Sequence, residues 1–243
     1  MKKMTAITLT TALAASLTVA SLIPAAASAD ASAAKERIQM SERTSYYGEV
    51  SNGQPNGRGT IKWGTEKQYS GDFVNGKRSG NGKYINQYIE DGELHKVVYT
   101  GSWSGDRMSG KGVLTHKVTQ ADGTVRWHQI QKGIFKDGVF KSGYDVIQAV
   151  ADPDFSFTYT NGKETLEIMG TNKYLHQAWK KGNLFDVKYK NGSVNKSYTI
   201  FPLSTVAEQR KNDADRKYLQ SIYKKIAPHL GQFEALSKQV PLK

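Results

Sequence analysis

The stretch Tyr69-Ser70-Gly71-Asp72-Phe73-Val74-Asn75-Gly76-Lys77-Arg78-Ser79-Gly80-Asn81-Gly82 decides how this chain folds. Tyr69, Gly71 and Phe73 alternate with a period of two, which places all three on one face of a strand. Asn75-Gly76 is a dipeptide that accepts positive φ and closes a tight hairpin. Gly71 has no Cβ, so rings from neighbouring hairpins can close over the backbone there. One hairpin cannot bury such a face alone. Stacking several in sequence gives a continuous aromatic-lined sheet.

The same offsets recur on both sides of this stretch. Upstream they fall on Tyr46, Gly48, Val50, Gly53, Gly57 and Gly59. Downstream they fall on Tyr99, Gly101, Trp103, Gly110 and Gly112, with Asp106 where the turn glycine is expected. A fourth, partial copy keeps Gly133, Phe135 and Gly138, with Gln131 in place of Tyr and Ser142 in place of the next Gly. Successive copies begin 23, 30 and 32 residues apart, which predicts lengthened loops such as Asn86–Lys96 and Thr119–Arg126. Two further turns, Asn161-Gly162 and Asn191-Gly192, follow Tyr159 and Tyr189 and read as degenerate hairpins that continue or cap the sheet.

The pattern Tyr-x-Gly-x-aromatic-x-x-Gly-x-x-x-Gly-x-Gly resembles the MORN (membrane occupation and recognition nexus) repeat family. The resemblance runs from Tyr46 to about Asp145, and with the export signal described below the chain is expected to be a secreted bacterial-type member. It implies an elongated, twisted antiparallel sheet used as an accessory module, with membrane or lipid attachment and dimerisation as associated roles. It implies no reaction: in the methyltransferase members the catalytic domain lies outside the repeats, and the fold alone carries no chemistry.

The N-terminus has the layout of a secretory signal. Lys2 and Lys3 precede an apolar stretch from about Ala6 to Ile23, Pro24 interrupts it, and Ala27-Ser28-Ala29 supplies small residues for cleavage. Cleavage after Ala29 leaves 214 residues with a net charge of +10, against +12 for the whole chain. The charge is spread, at +4 over Tyr46–Asp145, +2 over Val146–Pro202 and +4 over Leu203–Lys243. The chain has no cysteine, so disulfides and thiolate zinc sites are excluded. For an exported basic protein, anionic lipid or wall polymer is a more natural counterpart than nucleic acid.

Residues 30–45 are polar, Ala- and Ser-rich, and read as a flexible leader. Leu203–Lys243 changes period. Thr205-Val206-Ala207-Glu208 matches a helix-starting capping box. Tyr218, Leu219, Ile222, Tyr223 and Ile226 then share one helical face, with Arg210, Lys217 and Lys224 opposite. Leu230, Phe233, Leu236 and Val240 continue the same phase beyond Pro228, where a kink or stop is expected. Two roles fit that face: docking on the sheet to cover its end, or lying at a membrane surface.

No catalytic motif is present. His95, His116, His128, His176 and His229 stand alone in sequence, without a His-Glu-x-x-His arrangement. Asp152 and Asp154 flank Pro153 as a turn would, and Glu90, Asp91 and Glu93 surround Gly92 without calcium-loop spacing. There is no Gly-x-Ser-x-Gly elbow or phosphate loop. The ambiguous feature is the aromatic stripe Tyr46, Tyr69, Phe73, Tyr99, Trp103 and Phe135. It is either structural stacking or a ligand face, joined in the second case by Lys62, Lys77, Arg78 and Arg107, with Lys67, Lys83 and Lys111 nearby.

The expected fold is therefore mostly β: an elongated antiparallel sheet of tandem hairpins with a C-terminal α-helical segment. The parts are a signal peptide (1–29), a leader (30–45), MORN-like repeats (46–145), degenerate hairpins (146–202) and an amphipathic helical segment (203–243). The glycines Gly48, Gly53, Gly57, Gly59, Gly71, Gly76, Gly80, Gly82, Gly101, Gly110, Gly112, Gly133 and Gly138 are structural. The expected function is a non-catalytic exported binding or scaffold protein, without cofactor or metal, at the cell surface or beyond it. Its partner would be a protein, its own copy, or an anionic lipid or wall polymer. The alternative is a glycan-processing or other hydrolase with a site dispersed over a groove.

Overall fold

The structure, a computed structural model, describes residues 34–171 and 174–242; the expected signal peptide lies outside them. Thirteen strands form one antiparallel sheet in which each strand pairs with its neighbours in sequence. They are β1 (Lys35–Ser41), β2 (Thr44–Ser51), β3 (Gln54–Trp63), β4 (Lys67–Val74), β5 (Lys77–Glu90), β6 (Glu93–Ser104), β7 (Arg107–Thr119), β8 (Val125–Lys136) and β9 (Val139–Ala149). β10 (Phe155–Asn161), β11 (Glu164–Gly170), α1 (Leu175–Lys181), β12 (Asp186–Asn191), β13 (Val194–Thr199), α2 (Val206–Ser221) and α3 (Tyr223–Ser237) complete the chain. The mostly-β repeat sheet with C-terminal helices is thus the fold expected from the sequence.

The two glycines that end each repeat do different work. In β5, Gly80 has φ of 56° and sits in a bulge, where pairing with β4 jumps from Gly71↔Gly82 to Asp72↔Ser79. A bulge bends the strand and increases its twist. Gly82, two residues on, lies in the regular ladder beneath the Tyr69 ring, whose Cε2, Cζ and Oη atoms occupy the space a Cβ would need. The ring that closes over the backbone therefore belongs to the same hairpin. The Tyr69 hydroxyl donates to the Asp72 carbonyl at 3.0 Å, and Tyr46 and Tyr99 repeat this to Glu49 at 2.7 Å and Ser102 at 3.0 Å. The ladder glycines align across the sheet as Gly48, Gly59, Gly71, Gly82, Gly101, Gly112, Gly133 and Gly143.

Successive turns also stack on one another. The Gly76 amide donates to the Pro55 carbonyl, Asp106 to Arg78 and Gly138 to Met108, at 2.9–3.0 Å. Asp106, which departs from the repeat, adopts φ of 70°, and its carboxylate takes the Arg78 amide and Nε, both at 3.0 Å.

Four local expectations are corrected. Residues Lys35–Ser41 form strand β1 instead of a flexible leader: Ile38 packs on the aromatic cluster, and backbone pairing with β2 needs no apolar alternation. Asn86–Lys96 is no loop but a lengthened hairpin closed by Asp91-Gly92, both at positive φ. At Asn161 and Asn191 the turn shifts by one residue, so each Asn is the last paired strand residue and Gly162 or Gly192 opens the turn. The helical segment breaks at Ile222, the C-cap of α2, while Pro228 lies inside α3.

Helices cover one end of one sheet face. Ile226, Leu230, Phe233 and Leu236 of α3 are buried against Ile130, Val146, Phe157 and Ile168 of the sheet. α1, which the sequence reading did not foresee, adds Leu175 and Trp179 to the same core. α2 begins with the expected capping box at Thr205 and Glu208 and lies along the last strand. There the Thr199 amide donates to Asn212 at 2.8 Å, and Asn212 Nδ2 donates to the Thr199 carbonyl at 3.0 Å. Asp215, 2% exposed, accepts from Lys196 at 2.7 Å and Lys211 at 2.6 Å. Burial alone would raise its carboxyl, but these hydrogen bonds outweigh it and hold it below the ordinary range. α2 thereby blunts a sheet edge that would otherwise present unpaired backbone groups.

A basic face opposite the aromatic core

The aromatic stripe is a core. Rings contact one another edge-to-face in a continuous zigzag. Tyr46 meets Phe73 at 5.2 Å, Phe73 meets Tyr69 at 5.2 Å, and Tyr69 meets Trp103 at 5.1 Å. Trp103 meets Tyr99 at 5.3 Å, and Tyr99 meets Phe135 at 5.0 Å. None of the six is more than 6% exposed. A single-layer sheet hides them because each bulge bends its hairpin, seating the ring nearer the turn between the tyrosines of adjacent hairpins. Of the two readings of the stripe, structural stacking is the one that fits: rings this buried offer no ligand surface. Arg78 is spent in the same cluster, its guanidinium 4.5 Å from the Trp103 ring centroid and held by Asp106. Lys77 and Arg107 are exposed at hairpin turns, and Arg107 lies 3.8 Å from Asp137.

The other face of the sheet is different in kind. Cross-strand pairing places Arg37, Tyr47, Thr60, Ser70, Lys83, Thr100, Val113, Lys132 and Tyr144 in one row beside the glycines. The next row holds Ser45, Lys62, Gln68, Ile85, Val98, Thr115, Ile130 and Val146. Beyond it come Gln87, Lys96, Lys117 and His128. On the far side of the glycines lie Lys35 with Glu49, Arg58 with Asp72, and Lys111 with Ile134. Directly opposed residues share a face, so these rows carry nine cations against two carboxylates. The aromatic face of the same strands carries Glu36, Lys67 and Asp145 on the corresponding rows.

Both carboxylates on the basic face are engaged locally. Glu49 accepts the Arg58 amide at 3.1 Å, and Asp72 accepts the Asn81 amide at 2.8 Å and lies 3.5 Å from the Arg58 side chain. Lys62, Lys83, Lys96, Lys111, Lys117 and Lys132 have no ion-pair partner among the described residues. Two hollows of about 610 and 560 Å3 lie over the glycine backbone on this face and share Thr100 and Gly101. The second runs up to Tyr144, Tyr159 and Gln232 of α3, which close that end. Of the basic residues singled out with the stripe, Lys62 lies in these rows, as do Lys83 and Lys111, noted as neighbours; Lys77 and Arg107 lie on the same face at its turn edge.

The histidines are less solitary than their spacing suggests. His95 Nδ1 and His116 Nε2 sit 3.0 Å apart on β6 and β7, and burial, with His95 alongside, holds His116 below its ordinary pKa. His229 shares a 2.9 Å hydrogen bond with Tyr144, and burial lowers its pKa also. His176 reaches Tyr223 at 3.0 Å, and His128 the Pro241 carbonyl at 3.2 Å. Among the described residues no three His, Asp or Glu side chains gather as metal ligands would. Asp154 hydrogen-bonds Gln148 at 3.3 Å in the β9–β10 connection, and Asp91-Gly92 is a hairpin turn.

Stacked hairpins with a buried tyrosine–glycine motif and a cation-bearing reverse face define a β-hairpin repeat module. Segments 46–66, 69–86 and 99–117 match the MORN repeat family model. The chain is 33% identical to Alsin from Rattus norvegicus over 105 residues, 43% of this chain and 6% of that protein. It is 43% identical to MORN repeat-containing protein 3 from Xenopus laevis over 68 residues, 28% of each. It is 27% identical to ALS2 C-terminal-like protein from Homo sapiens over 119 residues, 49% of this chain and 11% of that protein. The chain thus spans a small part of each relative. All three are vertebrate proteins and lend no support to a secreted bacterial-type member.

Proposed function

We propose that this protein is an exported, non-catalytic binding scaffold whose basic sheet face engages an anionic partner. The observation that carries the reading is the segregation of charge: nine cations against two carboxylates on the rows flanking the glycines, opposite the aromatic core. A net charge that served solubility alone would be scattered over both faces. MORN repeats in binding modules support the same direction. Export rests on the signal layout of residues 1–29. Two measurements test the reading. N-terminal sequencing of the chain from its producing cells should begin at Asp30; an intact Met1 start removes export. Sedimentation with anionic and neutral vesicles and with wall polymer should show binding to anionic material that weakens with salt. No binding to any of them at low salt removes the anionic partner.

A further inference from the structure

We infer that the occupant of the basic face is an amphipathic helix with acidic flanks, seated beside α3 over β6 and β7. The inference rests on the binding-face reading and adds the partner's form. Its basis is an apolar row that changes cover halfway along. Val146 and Ile130 lie beneath α3, and the same row continues through Thr115 to Val98 and Ile85. Val98 and Ile85 are half-buried and lie outside the core beneath α3. Two positions further along the same strands from Gln87 and Lys96, Ile89 and Leu94 pair on this face, 68% and 39% exposed. α3 packs on β9. The core beneath α3 ends at Ile130 on β8, and the uncovered part of the row begins on β7 and β6.

The rim fixes the charge of the occupant. Lys83, Lys96, Lys117 and Lys132 surround the apolar row and have no carboxylate partner among the described residues. A second copy's α2 does not fit, because its outward face carries Arg210 and Lys217. Paired β1 edges do not fit either. Same-face antiparallel pairing about Glu36 or Arg37 opposes like charges, a device that keeps edges apart.

The test uses the processed chain (30–243) and three fluorescein-labelled probes of equal length. These are a Leu/Ala/Glu amphipathic helix, its Lys-for-Glu counterpart, and a scramble of the acidic peptide interrupted by proline. The acidic helix should bind and gain helical circular dichroism, with the other two at least about tenfold weaker. Ile85→Ser with Val98→Ser should weaken the acidic helix by about tenfold, the loss expected for two half-buried aliphatic contacts. That pair should leave the salt-sensitive binding of the scramble unchanged. Equal binding of helix and scramble would overturn the inference while leaving the basic-face reading intact. So would unchanged helix affinity in the double variant, or binding to anionic vesicles with no binding of the helix. Failure of every acidic probe would overturn both.

Discussion

The ring of Tyr69 fills the volume that a side chain at Gly82 would occupy on the adjacent strand, and its hydroxyl donates to the Asp72 carbonyl at 3.0 Å. This relation explains why tyrosine and glycine travel together in the repeat. The ring is buried against backbone, and the hydroxyl satisfies a carbonyl next to the bulge.

Gly82→Ala should accordingly destabilise the sheet by about 1–3 kcal/mol, the usual cost of overpacking. Gly231→Ala should do the reverse. A Cβ there meets only His176 Nε2 at 3.6 Å, and alanine in a helix interior is favoured over glycine by about 0.5–1 kcal/mol. Urea denaturation checks both signs, and equal shifts in one direction would contradict the assignment.

Much of this was legible in the sequence because it is periodic. Tyr-x-Gly-x-aromatic placed its residues on one shared face, Asn-Gly and Asp-Gly between Tyr46 and Asp145 marked the turns, and the capping box at Thr205 marked the start of α2. The grouping of cations on one face was not legible. Bulges near Gly57, Gly80 and Gly110 insert residues into the second strand of each hairpin, so which lysines share a face cannot be counted outward from the turn. Charge summed by segment also hides charge divided between faces. The aromatic stripe drew attention because rings at regular spacing suit a ligand face and a core equally. Only the bend of each hairpin decides between them. β1 escaped because an edge strand held by backbone pairing leaves little pattern in Lys35–Ser41.

Asn212→Ala should cost about 1–3 kcal/mol, since it leaves the amide and carbonyl of Thr199 without their partners. Hydrogen exchange at the Thr199 amide should accelerate before the sheet as a whole opens. Unchanged exchange there would show that α2 does not protect the edge.

Alkaline pH should weaken the fold through the repeat tyrosines. Burial, with the Asp72 carboxylate nearby, pushes the Tyr69 hydroxyl up to about 12, against about 10 for an unfolded tyrosine. The folded pKa is the higher one, so its contribution is complete below about pH 10 and is lost as pH rises towards 12. Tyr69→Phe should lower the urea midpoint at pH 8, through loss of the hydroxyl's hydrogen bond, and make its decline above pH 10 shallower. An unchanged slope would mean that Tyr69 ionises without opposing the fold.

The central claim is that charge acts through one face, and the most direct measurement is the salt concentration that elutes the chain from an immobilised sulfated polysaccharide. Lys83→Glu with Lys132→Glu, on the basic face, is compared with Lys163→Glu with Lys190→Glu, both exposed and away from it. The two pairs change net charge equally. The first should elute at clearly lower salt than the parent, and the second close to it. An equal fall for both pairs would mean that net charge alone governs binding, and would contradict the account.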